Sequence, residues 1–278
     1  MNTAQQIIKA LAIVLAILII GGMIGGIAIA GMTLSYIFDD RDGSTSIVED
    51  NISLLEGEIE AETTLSELRI YTRVSSLIIM TGDELQVKAP VGRVGIQQSR
   101  SSLEIREKKT YFWERWGERP GQIVVVVPSE VELDKFVLES GAGRVEIQGL
   151  TTKQALIDLG AGRTEISRLV ATEVVEIDSG AGHLAVRESK LHNLDLDMGA
   201  GLVEIVAELS GINQLDAGVG KLELVLSGEE TEYQFKVEKG LGSITLNDEK
   251  IGDGTIRGSG STVIDIDGGV GAIQIRTN

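Results

Sequence analysis

A glycine-rich tripeptide recurs at nearly constant spacing through the second half of the chain. Identical Gly-Ala-Gly copies begin at Gly141, Gly160, Gly180 and Gly199, and degenerate copies begin at Gly218, Gly240 and Gly269. The first glycines are separated by 19, 20, 19, 19, 22 and 29 residues. A fixed period of about 20 residues is typical of architectures in which one small unit stacks on the next.

Apolar residues occupy fixed positions around each tripeptide. The third residue before the first glycine and the sixth after it are apolar in all seven copies, and the fourth after it is apolar except for Thr164. Polar residues alternate with them, which indicates a β-strand on each side of a glycine turn. Because a single unit cannot bury its apolar face alone, the units are expected to stack.

The pattern predicts an all-β fold, a parallel β-solenoid with rungs of about 20 residues that covers residues 68–278. Seven rungs at roughly 4.8 Å spacing would be about 34 Å long. Glycine suits a sharp corner that needs a positive φ or a close approach between backbones. Residues 90–96 resemble a further degenerate copy that begins the series. The alternative fold is an antiparallel sandwich with hairpins at the glycines.

An acidic residue precedes the first glycine by two positions in every copy. This acidic column consists of Glu139, Asp158, Asp178, Asp197, Asp216, Glu238 and Asp267. Stacking in register would bring these charges about 5 Å apart, which is unfavourable unless they are paired or screened. We expect each carboxylate to accept hydrogen bonds from the glycine corner or to pair with a neighbouring basic residue.

The alternative role of the acidic column is cation binding. Calcium takes carboxylate oxygens, so Asp158, Asp178, Asp197 and Asp216 could form a weak divalent-cation ladder. The spacing lacks the dense carboxylate set of a calcium-binding loop. We therefore predict no metal site and no cofactor.

Residues 108–121 form an aromatic-rich segment that breaks the repeat. They include four of the ten aromatic residues of the chain and both tryptophans. The segment is predicted to be a loop between strands at 103–106 and 123–127. An exposed aromatic cluster with interleaved arginine can bind a glycan, a protein or the membrane interface. The candidate binding residues are Tyr111, Phe112, Trp113, Arg115 and Trp116. The alternative is a loop that folds back to cover the open first rung.

Residues 10–38 form an uncharged run of 29 residues, and about 20 suffice to span a bilayer. We predict a single transmembrane helix that follows a short cytoplasmic segment, residues 1–9. The alternative is a cleaved signal peptide, since Ala28-Ile29-Ala30 has the form of a cleavage site. Lys9 before the run and the acidic residues after it favour a cytoplasmic N-terminus and an extracytoplasmic C-terminal domain at the cell membrane.

The segment after the apolar run is strongly acidic. Residues 39–67 contain ten acidic residues and one basic residue, so self-repulsion favours an extended stalk. The alternative is a short helix around Ile52–Leu65 within it. Within the run itself, Gly21 with Gly25 and Gly22 with Gly26 form small-xxx-small pairs. Such pairs allow close helix packing in lipid and would suit a homo-oligomer. The alternative is that glycine is simply common in membrane helices.

Charge and composition exclude several functions. The net charge of −17 argues against nucleic acid, which binds clustered lysine and arginine. The absence of cysteine excludes thiol catalysis and cysteine–zinc sites. No catalytic triad, phosphate loop or zinc-protease motif occurs, and Gly-x-Gly lies between short strands rather than before a helix. We therefore predict that the chain is not an enzyme.

One stretch resembles a known family. The run Ile123-Val124-Val125-Val126-Val127-Pro128, then Val131-Glu132-Leu133-Asp134, then Ser140-Gly141-Ala142-Gly143-Arg144-Val145-Glu146-Ile147 is similar to the bacterial putative-adhesin family. The resemblance covers residues 68–278. It implies a β-strand-repeat domain of unknown function, often tethered by an N-terminal membrane helix, and supplies no catalytic residues.

These observations predict a membrane-anchored, non-catalytic surface interaction module, adhesin-like or associated with the cell envelope. The first alternative is a self-assembling envelope scaffold. A glycan-active enzyme is the least favoured hypothesis.

Overall fold

The computed structural model describes residues 65–108 and 121–277, which form β-strands without any α-helix. A single 3-10 turn lies at Glu230–Glu232. The strands are β1 Glu67–Thr72, β2 Ser76–Gly82, β3 Gln86–Lys88, β4 Val94–Gln98, β5 Ser102–Glu107, β6 Gln122–Pro128, β7 Glu132–His192, β8 Leu194–Ser210, β9 Ile212–Leu226, β10 Tyr233–Glu238, β11 Leu241–Leu246, β12 Glu249–Lys250, β13 Thr255–Arg257 and β14 Thr262–Thr277. The prediction of an all-β fold is confirmed.

Consecutive repeats stack as parallel strands in register. In the β7–β8 ladder Asp178 faces Asp197, and in the β8–β9 ladder Asp197 faces Asp216. Equivalent positions of the repeat therefore lie one above another, as the constant spacing predicts. This parallel register excludes the antiparallel sandwich.

The apolar positions of the repeat build one continuous core. The three predicted positions of all seven copies are buried, from Leu138 in the first copy to Ile275 in the last. Thr164, the only polar member, is buried as well. Burying a side chain of the Leu, Ile or Val type stabilises a fold by about 1.5–3 kcal/mol, so the stacked columns supply the main driving force.

The glycine corners bring the backbones of neighbouring rungs into contact. Gly182 has φ +134°, and a methyl group added there would overlap the carbonyl oxygen of Gly162 in the rung beneath. The same arrangement recurs at Gly201, which lies over Gly182. Both the conformation and the lack of space therefore require glycine at this position.

The C-terminal rung is out of sequence order. β14 pairs in parallel with β9 on one side and with β10 and β11 on the other. The last copy of the repeat, at Gly269, is thus inserted between the copies at Gly218 and Gly240. The expectation that rungs follow the order of the chain is wrong here.

The same rearrangement occurs at the other end of the stack. The first rung, β1 and β2, pairs in parallel with β7 on its inner side and with β5 and β6 on its outer side. The rung made by β5 and β6 is therefore outermost, although it comes second in the chain. Described residues form nine rungs in all, more than the predicted seven, since β1–β2 and β5–β6 lack the glycine tripeptide.

Short antiparallel strands close both ends of the stack. β4 and β3 pair with β5 and β6 at one end, and β13 and β12 pair with β10 and β11 at the other. Residues 90–96 belong to the turn before β4 and to β4 itself, so their assignment as the first repeat is wrong. An unpaired outer strand would expose hydrogen-bonding groups to other chains, and these short strands cover it.

Several predicted segments lie outside the described residues, namely the apolar run 10–38, most of the stalk and the glycine pairs of the run. Leu65 is already buried and β1 begins at Glu67, so the folded body includes residues 65–67, which the sequence analysis assigned to the stalk. Within residues 65–108 and 121–277, no helix is long and apolar enough to span a membrane.

The inserted position of β14 can be tested with engineered disulfides in this cysteine-free chain. Asp216 faces Asp267, and Asp267 faces Glu238. The pair Asp216→Cys with Asp267→Cys should oxidise readily, because a disulfide needs Cα atoms about 4.4–6.8 Å apart. The matched pair Asp216→Cys with Glu238→Cys should remain reduced, since one rung separates the two positions. Preferential oxidation of the second pair on a non-reducing gel would contradict the topology.

A second prediction concerns the glycine corner. Gly182→Ala should destabilise the domain by about 3 kcal/mol or more, because the new methyl group meets backbone that cannot move away. Gly95→Ala is the control, since the only atom near a methyl group there is a backbone oxygen 3.9 Å away. Chemical denaturation measures both. Equal effects of the two substitutions would refute the steric role of the corner.

Candidate functional site

The aromatic loop is inserted at the corner of the outermost rung. Its flanking residues Lys108 and Gly121 are both described, and its candidate residues Tyr111, Phe112, Trp113, Arg115 and Trp116 lie outside the described part. β5 and β6 are joined by residues 108–121, whereas the neighbouring rung joins β1 and β2 through residues 73–75. The loop therefore begins and ends where the neighbouring rung has a three-residue corner.

Both ends of the loop are fixed to neighbouring backbone. The Lys108 N–H donates to the carbonyl of Arg93 (2.8 Å), and the carbonyl of Gly121 accepts from Ser76 (2.9 Å). A side chain at Gly121 would collide with Pro90. These contacts place both ends of the loop beside the corner at residues 73–75.

A buried carboxylate organises this corner. Glu107, only 3% exposed, accepts hydrogen bonds from the backbone N–H groups of Arg73 (2.6 Å), Val74 (3.1 Å) and Ser75 (3.3 Å). The Ser75 hydroxyl donates to the other carboxylate oxygen (2.8 Å). The corner at residues 73–75 contains no glycine and is held by this side chain from the next rung.

The hydrogen bonds also set the charge state of Glu107. Burial alone would raise the pKa of this carboxyl group, but the N–H groups of Arg73 and Val74, with Ser75, outweigh burial and lower the pKa below its usual value. A carboxylate that accepts several N–H bonds is stabilised in its charged form. Glu107 is therefore an anion that fixes the corner next to the loop.

A groove of about 690 Å³ lies against this corner. The Arg106 guanidinium stacks on the Tyr71 ring, with its carbon 3.7 Å from the ring centroid, and bonds to Glu104 (3.0 Å). Stacked arginine and tyrosine offer a flat surface with polar edges. The groove is lined by Tyr71, Thr72, Arg73, Val74, Gly95, Gln97, Glu104, Arg106, Glu107, Lys108, Glu139, Ser140, Gly141, Asp158 and Gly160.

The groove lies at the head of the acidic column. Tyr71 faces Arg106 on one side and Glu139 on the other, so an arginine and a tyrosine occupy the positions that hold acids in later rungs. This column therefore changes from an arginine and a tyrosine at this end to carboxylates alone in the later rungs. The groove is chemically distinct from the rest of the sheet face.

The acidic column is not neutralised by ion pairs within the described residues. Asp158, Asp178, Asp197 and Asp216 form no salt bridge there and accept no hydrogen bond from the glycine corners, so that expectation is wrong. Partial burial, followed by the charges of neighbouring aspartates in the column, raises the pKa of Asp178 and of Asp216. The column is a source of repulsion in the folded state.

A second acidic position, five residues after the first glycine, behaves differently. Arg163 pairs with Glu165 (2.7 Å), His183 with Glu204 (2.7 Å), and Lys221 with Glu223. These pairs lie on the other strand of each rung. The two sides of the corner therefore differ, with paired charges on one and unpaired carboxylates on the other.

The described residues contain no group of three histidine, aspartate or glutamate side chains placed to hold a metal ion. The cation ladder therefore has no support in this part of the chain. His192 bonds to the Ser210 hydroxyl (2.9 Å), which is a structural contact.

Sequence reasoning missed Tyr71, Arg73, Arg106 and Glu107. The alternation of apolar and polar residues around them indicated strands. Because these rungs lack the glycine tripeptide, they could not be aligned with the repeat. Only the fold brings Glu107 to the corner of a different rung.

A family model described as Toastrack DUF4097 matches residues 65–257. The chain belongs to the Toastrack DUF4097 family. The predicted resemblance to the bacterial putative-adhesin family is thereby confirmed. The matched region includes the groove and ends before β14.

Two solved structures match most of this chain at low sequence identity. One is a putative cell adhesion protein from Clostridium sporogenes, with 16% identity, 82% coverage of this chain, 98% of that chain and a TM-score of 0.34. Another is a putative adhesin from Bacteroides fragilis, with 14% identity, 77% coverage of this chain, 93% of that chain and a TM-score of 0.40. No curated protein matches this Toastrack chain.

The opposite pKa shifts predict a stability maximum at mildly acidic pH. As pH falls from neutral toward the ordinary aspartate range, Asp178 and Asp216 take up protons more readily when folded, so stability rises. Glu107 contributes stability above its unfolded pKa, and this is lost as pH falls through its lowered folded pKa. Thermal unfolding across pH measures both effects.

Three variants separate the two contributions. Asp178→Asn with Asp216→Asn should raise stability at neutral pH and remove the rise on acidification. Glu107→Gln should cost about 1–2 kcal/mol at neutral pH and flatten the fall at low pH. Asp83→Asn with Glu130→Gln, two exposed acids outside the column, controls for net charge. An aspartate double variant that behaves like this control would contradict the prediction.

Proposed function

We propose that this Toastrack chain is a non-catalytic interaction module on the outer side of the cell membrane. Residues 10–38 would anchor it in the bilayer, with the N-terminus in the cytoplasm. The groove and the adjoining aromatic loop would bind a protein or glycan of the cell envelope.

The observation that carries the proposal is the position of the loop. Fourteen residues replace a three-residue corner at one site in the stack, directly beside the groove. Aromatic side chains and arginine dominate binding interfaces, because they bury a large area at a small entropic cost. The loop supplies Tyr111, Phe112, Trp113, Arg115 and Trp116 to this one end of the domain.

The non-catalytic part of the proposal rests on chemistry. The sequence contains no cysteine and no recognised nucleophile–base motif. Glu107, the buried acid beside the groove, is held in its charged form by backbone N–H groups and serves the corner. A binding role uses the features present without requiring an acid–base pair.

Self-assembly is the second candidate function. The pairs Gly21 with Gly25 and Gly22 with Gly26 would pack anchors of several copies together and form a homo-oligomer in the membrane. End-to-end stacking of the solenoids is disfavoured, because short antiparallel strands cover both ends of the stack. A scaffold built from this chain would therefore associate through residues 10–38.

The partner-binding proposal is tested with Trp113→Ala and Trp116→Ala in the full chain. Crosslinking on cells with mass spectrometry identifies the captured partner, and a glycan array tests carbohydrates. Binding should weaken at least tenfold in the variants, an order-of-magnitude expectation for loss of an aromatic anchor. Ile256→Ala, an exposed residue at the opposite end of the stack, is the matched control and should bind normally.

Location is tested separately by protease treatment of intact cells, lysed cells and wall-free protoplasts. Digestion of residues 65–277 on protoplasts is expected. Protection on protoplasts with cleavage after lysis would place the domain inside the cell and overturn the proposed topology.

Unchanged partner capture by the tryptophan variants would contradict the partner-binding proposal, because it would exclude the loop from the binding site.

A further inference from the structure

Both ends of the described chain enter rungs that lie inside the stack. The first rung, β1–β2, has β5–β6 on its outer side and β7 on its inner side. The last, β14, has β9 on its inner side and β10–β11 on its outer side. The rungs at the ends of the stack are instead formed by segments from within the chain.

The point of entry at the N-terminal end is held from two directions. The Ser66 N–H donates to the carbonyl of Ser101 in the outer rung (2.8 Å). The Ser66 carbonyl accepts from Asp134 (2.7 Å) and Lys135 (3.1 Å) of the inner rung. At the far end of β1, Glu107 of the outer rung binds the backbone of residues 73–75.

The C-terminal rung is held in a corresponding way. The Thr277 N–H donates to the Asn247 side-chain oxygen (3.0 Å), and the Asn247 amide donates to the Thr277 hydroxyl (3.1 Å). At the start of β14, the fully buried Asn213 donates to the carbonyl of Val263 (3.0 Å) and accepts from Leu194 (3.0 Å). Side chains of both neighbouring rungs therefore bind β14.

This arrangement changes how many hydrogen-bond ladders must break when tension is applied to β1 or β14. In an ordinary solenoid the terminal repeat contacts one neighbour, so it detaches by losing a single ladder. Here a terminal strand loses two backbone ladders together with the side-chain bonds of Glu107 or Asn247.

We propose that the domain is a load-bearing element whose first and last described strands, β1 and β14, are locked beneath its outer rungs. Tension applied through the N-terminal segment would enter β1 and be shared by both neighbouring rungs. The proposal concerns resistance to force and does not depend on which partner the groove binds. Loss of partner binding in the tryptophan variants would leave it unaffected.

Single-molecule force spectroscopy on the full chain in detergent tests the lock. Because the chain has no cysteine, Glu60→Cys with Asn278→Cys gives attachment points that load β1 and β14. Ser101→Cys with Asp248→Cys loads the two outer rungs and is the matched comparison. The first rupture should need about twice the force when β1 and β14 are loaded, since each of them breaks two parallel ladders, whereas an outer rung can peel off together with its short antiparallel strands and break one. Equal or lower force with β1 and β14 loaded would overturn the proposal.

Substitutions and hydrogen exchange provide an independent check. Glu107→Gln should lower the rupture force measured with β1 and β14 loaded, whereas Glu104→Gln on the same strand should not. In the unmodified full chain, amides of 67–72 and 262–277 should exchange more slowly than those of 102–107 and 233–238. Faster exchange in the segments nearest the chain ends would show fraying from the termini and refute the lock.

Discussion

Close backbone contact at the glycine corners is the constraint on which the other features depend. Each rung that carries the glycine tripeptide turns in three residues, and Gly182 lies so near Gly162 that no side chain fits between them. This contact keeps the strands on both sides of the corner in register, so the same apolar positions meet in every rung. The core then forms from side chains of moderate size. The register also has a cost, because it aligns the acids of the column. Partial burial, followed by the charges of these neighbours, raises the pKa of Asp178 and Asp216.

The groove arises where this constraint is relaxed. The corner at residues 73–75 has no glycine tripeptide, and its N–H groups are satisfied by Glu107 instead of by the next corner. Side chains can therefore project from this corner, whereas the glycine corners leave no room for them. The outermost rung can also carry an insertion without disturbing the rungs beneath it. The acidic column ends at the same place, where Tyr71 and Arg106 replace the acids. The stack thus loses the glycine corner and the acidic column at the same rung.

The period-two columns were sufficient to predict the all-β fold, the parallel stacking and the buried positions from Leu138 to Ile275. They could not predict the order of the rungs. All copies present the same apolar columns and the same corner, so any rung fits against any other, and the inserted position of β14 leaves no trace in those columns. The strand β4 was misassigned for a related reason, since Val94 and Ile96 alternate as a rung strand does while pairing antiparallel. The groove depends on contacts between rungs, so its residues could not be grouped from sequence.

The spacing of the repeats did contain one indication of the rearrangement. The regular intervals of 19 or 20 residues suit a chain that steps directly to the adjacent rung, whereas the last two intervals are 22 and 29 residues. A chain that must pass one rung position, form the outer rung and return needs additional length, which here also forms β12 and β13. At the other end, residues 83–101 between β2 and β5 form β3 and β4. The extra residues that let the chain pass a rung position therefore also form the short strands that cover the two ends of the stack.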